Sequence, residues 1–179
     1  EPKLSIKQNW LCYNCFMIIL GIDPGIGRTG WGVISEKSGK TQAIAYDCFE
    51  TTPNSPMDSR LKLIFKHMTQ LTEKYKPEAV AVEELFFNTN AKTALVVGHA
   101  RGVIVVAAAL QNIPVFSYTP LQVKIAVAGY GRAEKKQVGD MIKMTFKFKE
   151  VPKPDDTTDA LAVALTHAYS RKMKEANRV

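Results

Sequence analysis

The chain has 179 residues, of which 46% are hydrophobic and 23% are charged, a composition that fits one globular domain and argues against a second full one. No apolar run approaches the roughly 18 residues that a membrane span needs, so we expect a soluble protein. The 24 Lys and Arg residues exceed the 17 Asp and Glu residues, giving a net charge of +7. This excess suggests a polyanionic partner such as nucleic acid.

The first residues of the chain do not look like a targeting signal. Residues 1–16 lack the apolar core and cleavage site of a signal peptide, and we expect them to be a disordered N-terminal arm or a cloning remnant, with Met17 as a natural start. The three cysteines are an odd number, which favours a reduced, cytoplasmic setting without disulfides. We therefore expect one folded domain over 17–172 and a basic C-terminal tail at 173–179.

The stretch from Ile18 to Val33 predicts a strand, a tight turn and a second strand. An apolar run ends in Asp23-Pro24-Gly25 and is followed by a predicted loop that holds Gly27, Arg28 and Gly30. Pro24 favours extended geometry at Asp23, while the glycines allow either positive φ or close approach of another backbone. A carboxylate at this strand end is costly unless a positive group meets it. The alternative is an ordinary Asx-turn after a buried strand.

The next predicted elements are a strand, a helix and another strand. Lys40 to Thr52 predicts the third strand of an antiparallel meander, and a helical period begins at Ser59. The apolar strand 78–83 follows this helix, as expected of a parallel strand in the sheet interior. If it lies beside the first strand and parallel to it, Glu83 and Asp23 leave the same sheet edge, where open α/β sheets place ligands.

The second half of the sequence predicts four helices and one strand. In order, they are an apolar helix at 90–111, a strand at 114–118, and helices at 121–128, 133–146 and from Asp156 onward. Gly98 and Gly102 lie four residues apart in the first of these helices, where we expect them to allow close helix packing. Three meandering strands followed by alternating helices and strands imply an α/β fold. Its sheet is predicted to be mixed and five-stranded, with helices on both faces.

Four carboxylates are candidates for one reactive site. Asp156 and Asp159 lie three residues apart and point to one face of the last helix, although this pair alone could simply favour the helix dipole. Together with Asp23 and Glu83 they would repel one another without cations. Mg²⁺ or Mn²⁺ suits such oxygen ligands, and two ions about 4 Å apart would drive in-line phosphodiester hydrolysis.

The histidines are rival candidates for acid–base chemistry. Each lies within a predicted helix, where a histidine is more often packed or at the surface: His67, His99 and His167. A two-metal mechanism needs no side-chain nucleophile, because one metal activates water and the other stabilises the leaving 3′-oxygen. The carboxylates are therefore the favoured groups.

From Ile18 to about Tyr169 the sequence resembles the RuvC family of Holliday junction resolvases. The ordered blocks that carry the resemblance are G-I-D-P-G-x-x-x-T-G, S-R-L-K-L-I, A-V-E-E-L-F-F-N-x-N, G-H-A-R-G-V, P-V-F, A-E-K-K-Q-V and D-x-x-D-A-L-A-V-A-x-T-H. The resemblance implies a ribonuclease H-like nuclease domain over 17–172, a homodimer, and a Mg²⁺-dependent endonuclease acting in recombination and repair. Such an enzyme nicks two strands of like polarity symmetrically in a four-way junction. The RuvA and RuvB branch-migration proteins are the implied partners, in a bacterial cytoplasm.

The resemblance assigns the metal-binding acids residue by residue. By motif position they match Asp23, Glu83, Asp156 and Asp159. Asp155 competes with Asp156, since both lie about one turn before Asp159, and Glu84 competes with Glu83. The register of D-x-x-D-A-L-A selects Asp156, and the block A-V-E, together with strand alternation, favours Glu83.

Other residues are candidates for contact with DNA. Lys124 and Lys135 match family lysines near the scissile phosphate, where a lysine positions the backbone without reading sequence. Phe86 matches a family aromatic that stacks on or wedges into the junction, with a core phenylalanine as the alternative. Three arginines are additional basic candidates: Arg28, Arg101 and Arg132.

Two other functions are alternatives. A non-catalytic junction-binding module would keep the basic surface with purely structural acids, but none of the four acids is missing. An ATP-handling domain of the sugar kinase and actin type also begins with a hairpin that carries an Asp and glycines. It needs a second such hairpin, and no D-x-G pattern follows Val33.

Overall fold

A computed structural model describes residues 16–84 and 91–176 of the chain, which form five strands and five helices. The strands are β1 (Met17–Asp23), β2 (Arg28–Lys37), β3 (Lys40–Glu50), β4 (Ala79–Glu83) and β5 (Val115–Tyr118). The helices are α1 (Met57–Tyr75), α2 (Ala91–Ala109), α3 (Pro120–Ala128), α4 (Lys135–Phe146) and α5 (Asp155–Ala176). Phe86, residues 1–15 of the predicted arm and residues 177–179 lie outside the described residues.

The sheet has the strand order β3-β2-β1-β4-β5. The three strands from β1 to β3 form an antiparallel meander, while β4 pairs in parallel with both β1 and β5. The predicted mixed five-stranded sheet is therefore confirmed. Ile22 pairs with Val82 in the parallel register, so β1 and β4 end side by side. Their last residues, Asp23 and Glu83, therefore lie at the same edge of the sheet.

Helices cover both faces of the sheet, as the sequence predicts. On one face Ile19 and Ile34 pack with α3, α4 and α5, and on the other Leu20 and Val33 pack with α1 and α2. Neighbouring residues of β1 thus enter opposite cores, which is typical of a central strand buried on both sides. Within the described ranges, no helix is both long and apolar enough to cross a membrane.

The glycines of the first hairpin serve close packing. A Cβ atom added at Gly21, Gly30 or Gly32 would collide with α5, at the backbone of Ala160, the backbone of Asp156 and the side chain of Leu161 respectively. The last helix therefore lies directly on β1 and β2. Of the two roles that the sequence leaves open for these glycines, close approach is the one that occurs at Gly30.

The predicted loop after Asp23 is shorter than expected. Strand β2 already begins at Arg28, so that Arg28 and Gly30 belong to the strand, where Arg28 pairs with Glu50 and Gly30 with Asp23. The Thr29 hydroxyl donates to the carbonyl of Gly25 at 2.7 Å. This bond spans the turn, and the two residues before Gly30 pair with β3, whereas the pairing of β1 with β2 begins at Asp23 and Gly30.

The structure does not show the close helix packing that the sequence predicts at Gly102. An added Cβ at Gly102 would meet nothing within 4 Å, so this residue does not mediate close helix packing. It lines an apolar groove of about 570 Å³ between the two helices, together with Phe65 and Val106. The helical period places Phe65 on the buried stripe of α1, but its side chain is 37% exposed, because it lies at this groove.

Candidate active site

Two of the four predicted acids end neighbouring parallel strands. Asp23 is the last residue of β1 and Glu83 the last residue of β4, and both are partly buried. Their side chains are hydrogen-bonded to each other. Burial, the adjacent Glu83, and the charges of Asp159 and Asp156 raise the pKa of Asp23 to about 8. At neutral pH Asp23 therefore keeps its proton, which it donates to Glu83.

The other two acids lie in the first turns of α5. The start of this helix is fixed by the preceding loop, because the Thr158 hydroxyl donates to the carbonyl of Pro152 at 2.8 Å. A cation from the same chain contacts each acid. The Arg28 Nε lies 3.4 Å from an oxygen of Asp156, and the Lys135 Nζ lies 2.9 Å from an oxygen of Asp159.

The alternatives Asp155 and Glu84 are less suited to the site. The side chain of Asp155 is 69% exposed, whereas that of Asp156 is 24% exposed. Asp156, but not Asp155, is among the charges that raise the pKa of Asp23. Glu84 is exposed beyond the end of β4, while Glu83 is partly buried. Both observations favour the acids that the sequence motifs select.

Burial and mutual repulsion dominate the electrostatics of this edge. Burial raises the pKa of Glu83, and the charge of Asp159 raises it further. Burial also raises the pKa of Asp159, although the ammonium of Lys135 opposes the effect. Partial burial lowers the pKa of Lys135, but its contacts with Asp159 and Asp155 outweigh this and leave the pKa raised.

The donor set suits a hard divalent cation. Four carboxylates within one electrostatic neighbourhood offer only oxygen ligands, which is the chemistry that Mg²⁺ and Mn²⁺ select. Burial is the largest cause of the raised pKa of Asp23, and the charges of Glu83, Asp159 and Asp156 raise it further, so the chain's own cations do not fully neutralise this edge. In the part of the chain that the structure describes, no three His, Cys, Asp or Glu side chains are already gathered as a metal-binding group.

The predicted basic residues divide into two groups. Arg28, at the start of β2, and Lys135, the first residue of α4, contact the acids directly. Lys124 lies partly buried in α3 and Arg132 is exposed in the connection between α3 and α4. Among the described residues, neither of these two forms an ion pair with the four acids. Arg101 donates instead to the Ser117 hydroxyl at 2.7 Å.

Two histidines have packing partners other than the four acids. His67 stacks on Phe49 with ring centroids 4.3 Å apart. His167 is 3% exposed, and its Nδ1 lies 2.8 Å from the Tyr118 hydroxyl. His99 lies exposed on α2 at the apolar groove. These positions agree with the interpretation of the histidines as packed or surface residues.

One residue near the acids is not singled out by the sequence patterns. Cys48 of β3 pairs with Gly30 of β2, and burial together with the charge of Asp156 raises the pKa of its thiol to about 11. It therefore stays protonated at neutral pH and is not a nucleophile. The pairing of β2 with β3 could have located it, but the register depends on a bulge at Val33/Ile34.

Comparisons with known proteins agree with this geometry. Residues 19–167 match the sequence model of the family "Crossover junction endodeoxyribonuclease RuvC". A protein of that name from Desulforamulus reducens is 54% identical over 152 residues, covering 85% of this chain and 93% of the relative. Another, from Alkaliphilus metalliredigens, is 54% identical over 154 residues, covering 86% of this chain and 94% of the relative.

A solved structure of a RuvC protein has the same fold. "T. thermophilus RuvC in complex with Holliday junction substrate" superimposes with a TM-score of 0.85 at 40% identity, covering 88% of this chain and 96% of that one. The segment that matches the family model contains the acids at the sheet edge. The chain therefore belongs to the RuvC family of crossover junction endodeoxyribonucleases, Holliday junction resolving enzymes with a ribonuclease H-like fold.

Proposed function

We propose that four acids form the metal-binding catalytic site of this junction resolving endonuclease: Asp23, Glu83, Asp156 and Asp159. The observation that carries the proposal is the pKa of Asp23, which is raised to about 8 by burial and by the charges of the three other acids. Four side chains from β1, β4 and α5 thus act on one another, although they are far apart in the sequence.

The cofactor that we infer is Mg²⁺, for which Mn²⁺ would substitute, with two ions per active site. Bound there, the ions would supply an activated water as the nucleophile and charge stabilisation for the leaving 3′-oxygen of the phosphodiester. The acids' own part is to lose their shared proton and present oxygen ligands. Their positions on two strand ends and a helix start keep them on rigid elements, which favours precise placement of the reacting groups.

The basic residues would hold the DNA backbone against this edge. Lys124 and Lys135 are proposed to contact phosphates near the scissile bond, and Arg28 and Arg132 to extend that contact. Arg28 and Lys135 already lie beside the acids, which supports a role close to the reacting phosphate. Phe86 is proposed to stack on an unpaired base at the junction, on the strength of its motif position alone.

Paired, symmetrical nicks in two strands of like polarity call for two copies of the site. One chain carries one set of the four acids, so we infer a homodimer. An apolar surface on α2 supports this inference: Leu95 is 63% exposed, Val106 52% and Leu110, just beyond the helix, 68%. We also infer the RuvA and RuvB proteins as partners in a bacterial cytoplasm, because they supply branch migration to enzymes of this family.

The experiment that tests the proposal compares the purified protein on a synthetic mobile four-way junction and on a matching linear duplex. Cleavage is mapped on each strand, with Mg²⁺ or with chelator. We expect paired symmetrical nicks in the junction alone, and only with metal. Asp140→Asn is the matched control for substitution of any of the four acids, because it removes an exposed carboxylate from α4 and not from the sheet edge.

Two outcomes would contradict the proposal. Binding without nicking under several divalent metals would favour a non-catalytic junction-binding module. Nicking that persists in chelator would exclude metal ligation as the role of the acids.

A further inference from the structure

Lys135 has an unusual combination of exposure and contacts. Its side chain is 59% exposed, yet its Nζ lies 2.9 Å from an oxygen of Asp159 and 3.4 Å from an oxygen of Asp155. Asp159 itself is largely covered, with 26% of its side chain exposed. The ammonium thus reaches inward from the surface to one of the four acids, while most of the lysine chain remains in water.

This contact competes with metal binding at the same carboxylate. The Asp159 oxygen that accepts a hydrogen bond from the ammonium at 2.9 Å has one lone pair and part of its charge already engaged, so it is a weaker ligand for a cation. The ammonium also repels a divalent ion, and the partly buried position of Asp159 weakens the screening of that repulsion. A metal ion and Lys135 therefore compete for Asp159.

The competition is reversible because Lys135 is attached at the surface. It is the first residue of α4, so its long side chain can swing away from Asp159 without unfolding the helix. A backbone phosphate that approaches the site offers the ammonium another anionic partner. When Lys135 moves to that phosphate, Asp159 is left as an unpaired carboxylate beside three other acids.

We propose that Lys135 takes the place of the cation at Asp159 in the metal-free protein, and that a DNA phosphate draws it away, so that DNA binding raises the affinity of the site for a divalent ion. This inference rests on the proposed assignment of Asp159 as a metal ligand. Because coupling between two ligands is reciprocal, a bound metal also favours the binding of DNA. The acids then become fully available to metal only when a phosphate is present.

The first test measures Mn²⁺ binding without DNA, by the electron paramagnetic resonance signal of the free ion. We compare the unmodified protein with Lys135→Ala and Lys136→Ala. Lys136 is the adjacent exposed lysine, so both variants remove one positive charge from the same turn of α4. Lys135→Ala should bind Mn²⁺ about 5-fold or more tightly than the unmodified protein, in the range of typical coupling energies, while Lys136→Ala should change the affinity less than about 2-fold.

The second test needs no metal. In chelator, Asp159→Asn should raise junction affinity, because Lys135 no longer has to leave Asp159, and this gain should shrink in the double variant with Lys135→Ala. Equal gains in both backgrounds would overturn the inference, as would Mn²⁺ affinities that Lys135→Ala and Lys136→Ala change by the same factor. Absence of Mn²⁺ binding both in the unmodified protein and in Lys135→Ala would instead refute the proposed metal-binding function, and with it the inference. Thermal unfolding of each variant verifies that the exposed substitutions leave the fold intact.

Discussion

The two pairs of acids at the sheet edge where β1 and β4 end are neutralised in different ways. Asp23 and Glu83, at the ends of β1 and β4, are hydrogen-bonded to each other and hold a shared proton. Asp156 and Asp159, in the first turns of α5, are paired with Arg28 and Lys135 of the same chain. The same type of side chain is thus neutralised by a proton in one pair and by cations in the other.

This difference follows from the elements that carry the acids. A strand end in the middle of the sheet is enclosed on both faces and is close to its parallel neighbour, so its carboxylate meets another carboxylate. A helix start lies nearer the surface, where a lysine of a neighbouring helix or an arginine of a strand can reach it. The metal binding that we propose would therefore release a proton from the strand pair and move a side chain away from the helix pair.

The largest effect is expected from Asp23→Asn. This change removes one carboxylate from the strand pair but leaves the basic surface in place, so junction binding should persist. Cleavage should fall by about 10³-fold or more, since the metal contribution to catalysis is several kcal/mol. Cleavage rates and junction affinity are measured in parallel in Mg²⁺.

A matched pair of variants tests which of Asp155 and Asp156, at the start of α5, belongs to the site. Asp156→Asn should behave like Asp23→Asn, whereas Asp155→Asn should lower cleavage by less than about 5-fold, because its exposed carboxylate interacts weakly with the reacting groups. If Asp155→Asn were the more damaging of the two, Asp155 would replace Asp156 as the ligand. Retained Mg²⁺-dependent cleavage in Asp23→Asn would refute the assignment of that residue.

The pH dependence of metal binding should separate the two pairs. The pKa of Asp23 is raised to about 8, so a metal that binds below this pH must displace a proton. Affinity for Mn²⁺ should therefore increase by up to about tenfold per pH unit from about pH 6 to about pH 8, and should level off above. A short series of pH values across this range suffices. An affinity that is flat across it would show that the strand pair is already ionised.

The stability of the metal-free protein should show the opposite pH trend. An acid with an ordinary pKa of 3.8 that is raised to about 8 by folding binds an extra proton in the folded state, so its contribution to stability is present below about pH 4 and is lost as pH rises towards 8. Asp23→Asn removes this loss. At about pH 8 in chelator it should stabilise the fold by about 1–3 kcal/mol, or about 3–10 °C in Tm.

The control for this stability measurement is the other pair. Asp156→Asn removes a carboxylate that Arg28 already contacts, so any stabilisation that it gives relative to the unmodified protein should not grow with pH as it does for Asp23→Asn. Thermal unfolding at about pH 5 and about pH 8 gives the comparison. A similar stabilisation by both variants at the higher pH would mean that general repulsion, and not the shared proton, governs the edge.

The strand pair is the part of the site that the sequence predicts best. Short apolar strands that end in an acid, together with the parallel pairing expected after a helix, are enough to place Asp23 and Glu83 at one edge. The sheet and the order of the helices follow from the same periodicities. These features depend on local patterns and on a few general rules of connection.

The ion pairs of the helix acids could not be predicted from the same patterns. The sequence places Arg28 in a loop, but it begins β2 and reaches Asp156 because α5 lies directly on Gly30. Lys135 reaches Asp159 from α4, through packing between two helices that no periodicity specifies. The open groove at Gly102 could not be predicted for the same reason, because the spacing of α1 and α2 depends on side chains from both helices.

The smallest predicted effect concerns the two lysines proposed to contact phosphate. Each contact that Lys124 or Lys135 makes should add about 0.9 to the magnitude of the slope of log affinity against log salt. Lys124→Ala and Lys135→Ala should therefore each lower the magnitude of that slope by about 0.9, the contribution of one phosphate contact. Junction binding is followed in chelator by fluorescence anisotropy. Lys37→Ala is the control, because Lys37 is exposed at the end of β2 that points away from the acids.

The comparison between the two lysines carries the sharper information. Lys135 starts from an ion pair with Asp159, and it adds to the salt dependence only if it leaves that carboxylate for the DNA. Lys124 has no such competing contact with the four acids within the described residues. A lower slope in Lys124→Ala but an unchanged slope in Lys135→Ala would mean that Lys135 stays on Asp159 in the complex. The helix pair would then keep its own cation when DNA binds, and metal would have to displace Lys135 without help from a phosphate.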